Sequence, residues 1–131
     1  MTAPDSAAQF SLTFEHRPDY LYAYVKGQDD SYEISKQYWQ DIARELKTTV
    51  YTKLLVDEDI VEAASMGDVF QLVSELIGMG FAGTKIAFCD RQIDHADLND
   101  FGILVASNRG LDAAAFNDID QAAVWLLAER R

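Results

Sequence analysis

A chain of 131 residues, 49% of them hydrophobic, can bury a real core without disulfide or metal staples, which excludes a disordered or disulfide-framed protein. A net charge of -11, from 11 basic and 22 acidic residues, excludes nucleic acid as a direct partner, because phosphate binding needs clustered Lys and Arg. The lone Cys89 closes no internal disulfide, no apolar run reaches membrane-span length and no signal-peptide pattern opens the chain, so a cytoplasmic protein is expected.

Residues 1–8 are small and polar and read as a flexible start, followed by one domain over residues 9–131. Phe10, Leu12 and Phe14 alternate with polar residues, as in a half-buried strand. The turn His16-Arg17-Pro18-Asp19 leads into a second strand over residues 20–26, with Leu21, Ala23 and Val25 on one face and Tyr20, Tyr22 and Tyr24 on the other, so the two strands predict an antiparallel hairpin. Asp30 or Ser31 can cap a helix on which Tyr38, Trp39, Ile42, Ala43 and Leu46 recur at helical spacing.

Residues 51–56 then form the apolar central strand. Asp57, Glu58, Asp59 and Glu62 follow and read as an acidic crossover loop, and Ser65 with Asp68 resembles a capping box opening the second helix. Gly78 and Gly80 end that helix. A strand over residues 85–89 leads to Asp90 and to a third helix capped by Asp94 or His95. Gly110 closes it, residues 113–116 form a last strand, and Asp118 caps a fourth helix carrying Ala122, Trp125 and Leu126. Strands alternating with helices imply right-handed crossovers and a largely parallel sheet. The fold expected is a single α/β sandwich, with a mixed, roughly five-stranded sheet and four helices.

Several patterns invite a chemical reading. Gly78, Gly80 and Gly83 satisfy G-x-G-x-x-G literally, but a helix precedes them and a strand follows, the reverse of a dinucleotide site. The stretch from Asp57 through Glu58 and Asp59 to Ile60 and Val61 resembles the D-x-D-x-[TV] motif of haloacid-dehalogenase-like phosphatases. That resemblance implies an aspartyl nucleophile and Mg²⁺; separately, Asp57, Asp59 and Asp90 could gather at one edge and hold the ion through oxygen ligands. The later motifs of that family are missing, and solvated acids are the plainer reading. No G-x-S-x-G elbow is present, Cys89 sits in a buried strand as inert packing, and nothing in the spacing supports a Ser65, His95 and Asp90 grouping. Tyr20, Tyr22, Tyr24 and Trp39 could form an association surface or lie under the first helix.

The order and spacing of several blocks is similar to the SpoIIAA-like family, relatives of the STAS domains of anti-sigma-factor antagonists. The blocks are His16-Arg17-Pro18-Asp19-Tyr20-Leu21, Gly27, Trp39, Lys53-Leu54-Leu55-Val56, Gly80-Phe81, Lys85-Ile86-Ala87, Ala106-Ser107-Asn108-Arg109-Gly110, and Phe116-Asn117-Asp118 with Ala122 and Trp125-Leu126. The resemblance implies a regulatory binding module that is not an enzyme. It also places a phosphorylatable Ser at the start of the helix after the central strand. Ser65 holds that position, but the D-S-[ST]-G context is absent, which favours a plain helix cap. The expectation is therefore a non-catalytic module, binding a protein partner or itself as a homodimer, without cofactor or metal. Docking or phosphorylation would centre on Ser65, Asp57 and Asp59. The alternatives are a carrier of a small apolar or lipid-like ligand and a Mg²⁺-dependent phosphatase on Asp57 and Asp59.

Overall fold

The computed structural model describes residues 9–128; the flexible start expected over residues 1–8 lies outside them, as do residues 129–131. The alternating N-terminal segment forms β1 (Phe10–His16), paired antiparallel with β2 (Leu21–Gly27), and the turn between them closes with a bond from the Arg17 N–H to the Tyr20 carbonyl. The next helix, α1 (Tyr32–Lys47), starts at Ser31, whose hydroxyl accepts from the Ile34 N–H. Then come β3 (Lys53–Ile60), α2 (Met66–Leu76) and a 3-10 turn (Ile77–Met79) that stops at Gly80, with φ of +112°, where a residue with a Cβ is strained. Next are β4 (Lys85–Asp90), a 3-10 turn (Ile93–His95), α3 (Ala96–Asn108), β5 (Asp112–Phe116) and α4 (Ile119–Leu127). Asp118 caps α4 as expected, accepting from the Asp120 N–H at 2.8 Å.

The five strands lie in the order β1-β2-β3-β4-β5, antiparallel between the first two and parallel thereafter. Each parallel strand is added on the same side of the last, so right-handed crossovers lay all three crossover helices on one face. The larger core forms there: Leu21, Ala23, Val25, Leu54, Val56 and Ile86 of the sheet meet Tyr38, Trp39, Ile42, Leu72, Leu76 and Ala106 of α1, α2 and α3. The last helix, α4, covers the other face, where Tyr20, Leu55, Ala87 and Cys89 pack on Ala122 and Leu126.

Lys85 ties α4 to the sheet. It is only 8% exposed, and its Nζ donates to the carbonyls of Trp125 (2.7 Å) and Ala128 (3.2 Å) while lying 4.5 Å from the Trp125 ring centroid. A cation among the last carbonyls of a helix is favourably placed against its dipole. Lys85→Met keeps the stem and removes the charge with its desolvation cost, so the expected net loss is about 1 kcal/mol, read as a lower urea midpoint.

Candidate functional site

Strand β3 runs on through the acids to Ile60, where the sequence reading ended it at Val56 and made the acids a loop. The correction has a physical cause. In a strand, successive side chains alternate between faces, and here each face offers the acids partners. Asp57 and Asp59 point to the α4 side. Arg91 grips Asp57 from two nitrogens, Nε to Oδ1 at 3.0 Å and Nη2 to Oδ2 at 2.8 Å, and the Tyr22 hydroxyl donates to the same carboxylate. Asp59 accepts from the Tyr24 hydroxyl and from Gln92 Nε2, both at 3.2 Å. Two guanidinium groups complete the layer, Arg17 over the Tyr22 ring at 4.2 Å and Arg91 over Tyr24 at 4.9 Å. The Asp57 carboxylate raises the Arg91 pKa above its ordinary value. Asp57 is 1% exposed, so it belongs to a structural ion pair and not to a docking loop.

Glu58 falls between these two aspartates and points the other way, in phase with Leu54, Val56 and Ile60. It enters a cavity of about 100 Å³ between the sheet and α1, α2 and α3. Trp39, Val69, Leu72, Val73, Phe88 and Ile103 supply much of the apolar wall. The β3–α2 connection contributes only Ala63 and Ala64 to it. The polar groups gather where β3 and β4 end, the sheet edge at which sites in parallel α/β folds usually form.

Two hydrogen-bonded chains build that polar end. In the first, Asp30 accepts from Ser35 Oγ (2.6 Å) and the Ser31 N–H (2.9 Å), and Tyr38 Oη lies 3.1 Å from Asp30 and 2.8 Å from Glu58 Oε1. One hydroxyl proton cannot serve two carboxylates. A proton held on Glu58 would resolve this, with Glu58 then donating to Tyr38 and Tyr38 to Asp30. Burial, followed by the charges of Asp30 and Asp90, drives the Glu58 pKa well above the ordinary carboxyl value and favours that state. Asp30, one of the two cap candidates, is thus part of this chain, while Ser31 is the cap.

In the second chain, Asp90 is fully buried at the end of β4. Its Oδ1 accepts from the Gln92 N–H (2.9 Å), and its Oδ2 lies 2.9 Å from Asn99 Nδ2 and 3.2 Å from His95 Nδ1. His95 makes no capping bond to α3; its ring turns to Asp90 instead. One donor atom from each of Glu58, Asp90 and His95 lies within 4.8 Å of the others, a spacing that suits a small cationic group or a metal ion. The sequence reading expected neither a metal nor this cluster.

The remaining candidates are dispersed. Asp57 and Asp59 lie on the opposite face from Asp90, so the three carboxylates of the phosphatase reading do not converge. Ser65 caps α2 by accepting from the Asp68 N–H at 3.1 Å, and Asp68 accepts from the Tyr32 N–H of α1 where a capping box would turn it back on Ser65. Trp39 packs on the α1 side of the sheet, edge-on to Phe81 at 5.5 Å, whereas Tyr20, Tyr22 and Tyr24 face the other side. The four aromatics therefore form no common surface. Cys89 is buried under α4, and burial pushes its thiol up to about 11.

Scanned against protein-family models and against curated proteins, the sequence matches none. Among solved structures it is similar to an uncharacterised DUF3478-family protein from Shewanella loihica PV-4, described as having a SpoIIAA-like fold, with a TM-score of 0.54 and 14% identity over 89% of this chain and 93% of that one. No helix among the described residues is long and apolar enough to cross a membrane. Sheet order, the four helices among the described residues and this likeness together give the chain a SpoIIAA-like fold.

Proposed function

We propose that this domain is a non-catalytic binding module whose ligand is a small, largely apolar molecule held between the sheet and α1, α2 and α3. The observation that carries the reading is the cavity itself: apolar walls, with the few polar groups confined to one end, which is how small-molecule sites combine affinity with orientation. The absence of catalysis is supported by the state of the nucleophiles. The Ser65 hydroxyl is a helix cap, the Ser35 hydroxyl is bonded to Asp30, and the Cys89 thiol lies across the sheet from the cavity. A protein partner or a second copy is a further reading, favoured by the Tyr22 and Tyr24 side of the sheet, where both rings are only half-buried beneath Arg17 and Arg91. Sedimentation at rising concentration tests self-association: a purely monomeric boundary ends the homodimer idea.

The pocket is tested with 1-octanol, followed by Trp39 emission in a Trp125→Phe background so that a single Trp reports. Burying most of an octyl chain against the cost of association leaves a Kd on the order of 0.1–1 mM. Val73→Phe, which adds bulk to the cavity wall, should weaken binding about tenfold, the loss of roughly two buried methylene groups. A linear, non-saturating response identical in both proteins contradicts the reading.

A further inference from the structure

The cavity fixes more than the apolar character of its ligand. Three carboxyl groups, from Asp30, Glu58 and Asp90, and the imidazole of His95 line its polar end, and no Lys or Arg lines it anywhere. An anionic head, such as a fatty acid carboxylate or a phosphate, would meet like charge there, and the donors at that end, Ser35, Tyr38 and Asn99, already serve Asp30, Glu58 and Asp90. A neutral alcohol would satisfy one acceptor.

The acceptors are also incompletely used. Glu58 is 6% exposed and lines the cavity. Its Oε1 meets Tyr38, while its Oε2 receives no hydrogen bond from any described residue. His95 is 9% exposed, and with Nδ1 turned to Asp90, its Nε2 has no described partner either. A proton on Nδ1 directed at Asp90 would leave Nε2 as an acceptor.

We propose that the ligand of this cavity carries a primary ammonium group, seated among Glu58, Asp90 and His95, with its apolar tail running along the wall formed by α2 and α3. An ammonium offers three N–H donors at tetrahedral angles. Acceptors each about 2.8 Å from such a nitrogen stand up to roughly 4.6 Å apart, and one ligand atom from each of the three residues lies no more than 4.8 Å from the others, so a single nitrogen can reach all three. Charge-assisted bonds of this kind are about twice as strong as neutral ones, and a buried carboxylate with a free oxygen gains most from one. A metal ion uses the same atoms but gives no role to the apolar space opening directly from them. The proton balance is simple: Glu58 gives up its proton, to the solvent when an ammonium enters and to the nitrogen when a free amine does. This inference rests on the pocket reading above and sharpens it to a class of ligand.

The test is calorimetric titration of the full chain at pH 7.5 with octylamine, 1-octanol and sodium octanoate, which share one tail and differ in head. Octylamine should bind at least about tenfold tighter than octanol, and octanoate weakest of the three. Glu58→Gln should bring the octylamine-to-octanol ratio down to within about threefold. Since the three heads are compared on the unaltered protein, the outcome holds even if that variant fails to fold. Octanol matching or exceeding octylamine overturns the ammonium assignment and leaves the pocket reading standing; failure of all three overturns both. Saturable Zn²⁺ binding at the same residues, with no preference for the amine, also overturns the assignment.

Discussion

Asp90→Ala is expected to cost about 3–5 kcal/mol of folding stability, the scale of removing one partner from a buried charged network. Asp90 is completely inaccessible, and three donors converge on it: the Gln92 N–H, Asn99 Nδ2 and His95 Nδ1. Alanine supplies no acceptor to any of them, and each buried orphan costs about 1–3 kcal/mol. These donors also fix the turn from β4 into α3 (Ile93–His95 and Ala96 onward), so the loss falls on the polar end of the cavity as well. Asp90→Asn keeps one carbonyl oxygen but aims an amide at donors, so it should fall between the two. Urea unfolding of the three proteins measures the series. A loss under about 1 kcal/mol for the alanine variant would mean that water already serves these donors.

Glu58→Gln should act in the opposite direction and depend on pH. The groups that face Glu58 are Asp30 before α1, Tyr38 on α1, Asp90 on β4 and His95 ahead of α3. Burial, then the charges of Asp30 and Asp90, raises its folded-state pKa well above that of an exposed glutamate. The unfolded chain therefore releases this proton first, at about pH 4.3, while the folded chain retains it. Its contribution to stability is greatest below that pH and declines as pH rises toward the raised folded value. Glutamine cannot ionise, and its amide can donate to Tyr38 as a protonated acid would. The variant should match the parent near pH 4 and exceed it by about 1–4 kcal/mol at pH 8, the range seen when buried ionisable groups are replaced by neutral ones. Thermal melts of both proteins across that range give the difference directly, with other titrating groups cancelling. A variant less stable than its parent at pH 8 would mean that Glu58 is ionised and paired in the folded protein.

Much of the fold was legible because its cores obey simple periods. The alternation of Phe10, Leu12 and Phe14, the helical spacing from Tyr38 to Leu46 and the Asp118 cap each recur in the structure. The site was harder to read because its partners are distant in sequence. Glu58 meets Tyr38 across 20 positions, and Asp57 meets Arg91 across 34. One local signal was present: Glu58 is in phase with Leu54, Val56 and Ile60, whereas Asp57 and Asp59 are not. Carried on to Asp59, the strand period puts Glu58 on the face under α1, α2 and α3 and Asp57 and Asp59 on the α4 face. Treating a run of acids as the end of a strand erased that distinction. Asp30 was misplaced for a related reason, since an acid just before a helix looks like a cap whether or not its carboxylate turns inward.

The central claim, that the space between the sheet and α1, α2 and α3 receives an apolar ligand, is tested most directly by methyl-resolved NMR during a titration with 1-octanol. The account predicts saturable shifts at Val69, Leu72, Val73, Leu98 and Ile103, which line the cavity, and none at Leu126 beneath α4. Shifts that fail to saturate, or that spread evenly over both faces of the sheet, would contradict it.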